Sequence, residues 1–125
     1  MYNAKPIIAA ALSTDGSLIA LIPKVRMFDG IALFVGEPQY PYLTYEELDN
    51  HEALHADNAE IESEVTFRIN LWNKAASLST IAGHVNRIMQ ALDFGRNYSQ
   101  DQDEVLETGE IIKHKIMSFS NTFMA

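Results

Sequence analysis

The chain has no cysteine. A disulfide framework, a thiol nucleophile and a cysteine-ligated zinc site are therefore excluded. It has no apolar run of about 18 residues, the length that a membrane-crossing helix needs. The glycine patterns that cradle nucleotides and phosphates are missing, and so is the G-x-S-x-G of serine hydrolases. Positive charge is missing where negative charge is densest. Residues 27–67 hold ten acids (Asp29, Glu37, Glu46, Glu47, Asp49, Glu52, Asp57, Glu60, Glu62 and Glu64) and no Lys or Arg. The other seven acids stand against all nine bases, so the net charge of −8 belongs to one segment. Such a local field repels nucleic acid or seeks a basic partner. With no interleaving of basic and aromatic residues, binding of nucleic acid by charge is disfavoured.

What is present is ordinary for a globular protein: 125 residues, 47% apolar and 21% charged, which sets one domain over 1–125 as the expectation. The opening residues, "MYNAKPIIAAALSTDG", have too little positive charge and too short an apolar core for a secretory signal. They read instead as a first helix over about 3–12, with Pro6 in its first turn. "STDG" marks a turn, and a second short helix over about 18–22 is expected to stop at Pro23. Residues 31–35 are β-rich and read as a strand or an extended connection. A strand is expected over about 41–48, a polar loop over 51–58, and a long strand over about 60–73. In that long strand Ile61, Val65, Phe67, Ile69 and Leu71 alternate with Glu60, Glu62, Glu64, Thr66, Arg68 and Asn70.

Residues 77–95 carry the clearest helical signal. Ile81, Val85, Ile88, Met89 and Leu92 form one stripe. Ser77 or Ser79 can cap its start, Gly95 can end it, and Gly83 can permit close packing. Residues 96–110 read as an acidic loop with a short strand or hairpin near Val105. In the last segment Ile112, His114 and Ile116 fall on one side and Met117, Phe119 and Phe123 on the other, so a bulge is expected near Met117. This order of elements predicts an α+β fold, mainly an antiparallel β-sheet with helices packed on one face. The odd residues of the long strand are then expected to meet the stripe from Ile81 to Leu92.

One chemical motif needs weighing. "HEALH" (His51 to His55) spells the H-E-x-x-H of zinc-dependent hydrolases. That motif works on a helix, where both imidazoles share a face and the Glu serves a zinc-bound water. Here it lies in a short polar stretch between two strands, and a third ligand would have to come from His84, His114 or a carboxylate. The expectation is a polar connection with no catalytic, cofactor or metal site. Trp72 with Tyr40, Tyr42 and Tyr45 could line a ligand pocket, although packing accounts for them more simply. The acids at 101–110 lack the spacing of a calcium loop.

The series "PYLTYEELDN", "ADN", "IESEVTFRINLWNK", "IAGHVNRIMQALDF", "GRNY" and "IIKHKIMSFSNTF" resembles, in this order, the tail-completion proteins of long-tailed bacteriophages and prophages. These are also described as tail-to-head joining or tail-terminator components. The likeness spans about residues 41–123 and is weakest around "FDGIALFVGEPQ". It implies a structural virion protein and no enzyme or cofactor. It further implies a homo-oligomeric ring, a hexamer in most members, at the head-proximal end of the tail. The tail tube protein and the head connector or head-completion protein would be its partners, with DNA passing through unbound and no membrane involved. Synthesis in the bacterial cytoplasm follows from the same likeness. By implication Asp57 and Asn58 match the family's Asp-Asn before the second strand, Trp72 its strand-end aromatic, and His114 and Phe119 its final strand. The expected assembly residues are His51, His55, Asp57, Asn58, Glu60, Glu62 and Glu64. The competing class is a small α+β ligand-binding or regulatory module.

Overall fold

The computed structural model describes residues 3–56 and 59–124, without the side chains of residues 52–61 and 124. Two helices open the chain, α1 (Lys5–Thr14) and the single turn α2 (Gly16–Ile19), followed by a 3-10 turn at Lys24–Arg26. Strand β1 (Met27–Asp29) precedes the long hairpin of β2 (Tyr42–Ala56) and β3 (Ala59–Lys74). Helix α3 (Ser79–Ala91) then leads to β4 (Gly95–Asp101), β5 (Glu104–Val105) and β6 (Ile111–Met124). The sheet runs β1-β2-β3-β6-β4, with β5 also paired to β6. All pairings are antiparallel except the short β1–β2 contact. The expected α+β fold is the one observed.

The core follows from the period-2 pattern of β3. Val65, Phe67, Ile69 and Leu71 are fully buried, facing Ile81, Val85, Ile88 and Met89 of α3. Ile8 and Leu12 of α1, and Leu18 and Ile22 around α2, close the same core. Burying each such side chain contributes about 1.5–3 kcal/mol. Asp15 organises the helical corner. Its carboxylate caps α2 by accepting the Leu18 N–H at 3.0 Å and also receives both Arg87 nitrogens, at 2.9 Å each. The guanidinium holds the Asp15 carboxyl at about 2, with the backbone bond adding to the effect.

Several expectations are corrected. Residues 51–56 are not a loop: β2 continues to Ala56 and pairs with β3 up to Ala59. Of the two readings of residues 31–35, the connection is the one observed and the strand is not; the β segment lies just before them, at Met27–Asp29. The expected acidic loop contains β4, whose seven residues are all exposed, so no apolar period marks it. The bulge is not in β6, which pairs with β3 without a break from Ile112 to Met124. The irregularity sits on β4, between Arg96 and Tyr98. The two apolar sets of β6 therefore belong to two faces of the sheet. α3 ends before Gly95, with Asp93 in the left-handed conformation (φ 66°), and nothing approaches Gly83 closely.

Candidate assembly face

The helices cover the sheet face that carries the odd residues of β3. The opposite face carries its even residues, and no helix packs on it among the described residues. Strand register orders that face into rungs. At one end Tyr42, Trp72 and His114 stand opposite one another on β2, β3 and β6. Trp72 stacks on both neighbours, with ring centroids 4.7 Å from Tyr42 and 4.4 Å from His114. Phe34 reaches over from the segment after β1 and meets the edge of Tyr42 at 5.0 Å. Phe28 of β1 meets Phe34, also at 5.0 Å. Burial pushes the Tyr42 phenol up to about 12.

The next rung is Thr44, Asn70 and Ile116. Asn70 is buried and bonded on both sides, with its Nδ2 donating to Thr44 Oγ1 at 3.3 Å. Its Oδ1 lies 3.1 Å from His114 Nε2, which requires the imidazole to carry its proton there. Burial lowers the His114 pKa from its usual value. A third rung joins Glu46, Arg68 and Ser118. Arg68 donates from Nε and from the guanidinium NH2 group to Glu46 Oε1, at 2.7 and 2.5 Å. Asn97, at the β4 bulge, donates to Ser118 and Ser120.

Beyond Arg68 the face turns acidic. The register of β2 shifts at Leu48, so Asp49 and His51 share the face of Tyr42, Thr44 and Glu46. His51 stands opposite Glu64, and its Nδ1 lies 2.8 Å from Asp49 Oδ2. Glu62 and Glu64 follow on β3, both half-buried. Of the expected assembly residues, His51, Glu62 and Glu64 thus share one face. His55 and Glu60 lie on the paired strands, but their side chains lie outside the described residues, as do Asp57 and Asn58 altogether.

On an extended strand, residues four apart are separated by roughly 13 Å. His51 and His55 therefore lack the helical turn that H-E-x-x-H chemistry requires. Trp72, Tyr40 and Tyr42 lie together on the helix-free face, whereas Tyr45 packs on the core from the other side. A cleft of about 240 Å³ lies between the start of α3 and β4 and β6. Its charges satisfy one another, Lys113 with Asp103 at 3.0 Å and Lys115 with Asp101 at 2.8 Å. Sequence reasoning missed the Thr44–Asn70–His114 chain and the Glu46–Arg68 pair, because only strand register brings their members together.

These features define a class: an α+β subunit built on one antiparallel sheet, with one face sealed by helices and the other open, polar and aromatic. The particular family follows from comparison. A family model described as "Tail completion protein gp17" matches residues 6–115, and the chain belongs to that family. It is thus a structural component of a phage tail, and so of the virion. A chain of the "Virion of native gene transfer agent (GTA) particle" shares the fold, with a TM-score of 0.59 and 16% identity over 94% of this chain and 92% of its own. A second solved chain, 14% identical over 94% of this chain and 95% of its own, has a TM-score of only 0.42. No curated protein matches the chain.

Proposed function

We propose that this subunit completes the tail at its head-proximal end, forms a ring there around the DNA path, and joins the tail to the head connector. Six copies is the expected number. The family supports this reading, and one observation carries it further. The β2–β3 hairpin folds the acid-only part of the sequence back on itself. Glu47, Asp49 and Glu52 on β2 and Glu60, Glu62 and Glu64 on β3, with no base among them, are thereby brought onto paired strand segments at one end of the sheet. A ring that DNA must cross gains from such an end, because carboxylates repel phosphates where basic groups would hold them by counterion release. The same acids suit a basic surface on the tail tube or the connector.

The test is the triple substitution Glu60→Gln, Glu62→Gln and Glu64→Gln in the phage that encodes the chain. If the acids make a protein contact, heads and tails accumulate unjoined while the purified variant stays folded. If they line the channel, joined particles form but deliver DNA poorly. Normal titres with normal delivery would remove the acidic hairpin from the proposal.

A further inference from the structure

The two edges of the sheet carry unusual apolar surface. At the β1 edge Val25, Ile31, Leu33 and Val35 project outward, with Val25 81% and Leu33 78% exposed. Leu33 and Val35 flank Phe34, whose ring packs on Phe28 and Tyr42. At the opposite edge the turn between β5 and β6 exposes Val105 (74%), Leu106 and Ile111. Both patches sit at the same end of the sheet, since β5 pairs with β6 beside the Lys74–Ile112 pair and Phe34 packs beside the Tyr42–Trp72 pair. Clustered exposed side chains of this kind mark contact surfaces.

One further feature matches one edge to the other. β2, β3, β6 and β4 alternate in direction. If one copy's sheet continues into the next in the same sense, β4 meets the neighbour's β2 antiparallel. Among the described residues, both β4 and the part of β2 beyond Tyr45 lack a strand on their outer side.

We infer that these edges are the two halves of one heterologous self-contact, in which the Leu33–Val35 segment of one copy docks on the Val105–Leu106 turn of the next. This deepens the ring reading and rests on it, because a ring closes only through unlike surfaces repeated in one rotational sense. A two-fold dimer would use one edge against itself and leave the other bare.

Sedimentation velocity on the full chain, from about 1 µM to about 1 mM, tests this. One variant carries Leu33→Asp and Val35→Asp, and a second carries Val105→Asp and Leu106→Asp. All four positions are exposed, and circular dichroism checks that each variant folds. The wild type is expected to form species larger than a dimer, and each variant to remain a monomer. An equimolar mixture of the two should give a 1:1 dimer and nothing larger, because only one intact contact is possible. A monomeric wild type, wild-type assembly by either variant, or a mixture that stays monomeric would each overturn the inference. Mass spectrometry of purified particles tests the tail reading separately. A chain present in particles that still assembles when Val105 and Leu106 are Asp sinks the edge contact alone, whereas a chain absent from particles sinks the tail reading itself.

Discussion

Trp72 and His114 stack across the β3–β6 pair, with ring planes 13° apart and centroids 4.4 Å apart. The other face of the indole is taken by Tyr42. The chain's only tryptophan therefore reports on the helix-free face. Trp72→Ala removes two ring stacks, each worth about 0.5–1.5 kcal/mol beyond the area buried. A loss of about 2–3 kcal/mol is expected in urea unfolding, with the helical signal intact. A loss below about 0.5 kcal/mol would mean that the stack contributes little to holding the sheet.

The stack also titrates. Burial lowers the His114 pKa, so the folded protein favours the neutral ring. The unfolded chain then binds more protons in this range, and stability rises with pH. The contribution from His114 is fully present above the ordinary value of 6.5 and is lost as pH falls through it toward the folded value. Trp72 emission should change with a midpoint below 6.5, because an imidazolium quenches a stacked indole. In His114→Asn that transition should vanish. A midpoint above 6.5 would contradict the assignment.

Phe67→Ala should cost about 3–5 kcal/mol, because the ring is fully buried and packs edge-on against Phe94 at 6.2 Å. The measurement is the shift in denaturant midpoint at unchanged slope. This site was legible from sequence, since alternation along β3 and the stripe of α3 each dictate one buried face. The edges were not legible in this way. β4 is exposed along its whole length and carries no period, while residues 51–56 are polar and β-paired only because β3 lies beside them. The β-rich run at 31–35 has the composition of a strand but no neighbour to pair with, and composition alone cannot tell these cases apart. The Asn70–His114 contact spans 44 positions and depends on a register that no local pattern encodes.

Asp15→Ala should cost about 1–2 kcal/mol through loss of the α2 cap and of the Arg87 pair. Arg87→Ala leaves the cap and should cost less, because Arg87 is exposed. The folded pKa of Asp15 lies at about 2, against 3.8 ordinarily, so its contribution holds above 3.8 and is lost as pH falls toward 2. Acid titrations of wild type and Asp15→Asn should diverge in that window and run parallel above pH 5. Equal costs for the two alanine variants would show that the cap adds nothing.

Arg68 stands at the border of the acidic hairpin, and it is committed to Glu46 through two nitrogens. Both side chains are about one-third exposed, at 36% and 30%, so the pair lies between the surface and buried cases. An exposed pair contributes about 0–1 kcal/mol, while a more buried carboxylate left without its partner costs more. Arg68→Met leaves Glu46 on a face shared with Asp49, Glu62 and Glu64, and should cost about 1–2 kcal/mol. Adding Glu46→Gln should restore part of that loss, for a coupling of about 0.5–1 kcal/mol in a double-mutant cycle. Salt discriminates the causes. Repulsion among exposed acids is screened within about 10 Å at 0.1 M, so the Arg68→Met deficit should shrink as salt rises. A deficit independent of salt would instead assign the cost to the lost hydrogen bonds and to the packing of the Arg68 stem.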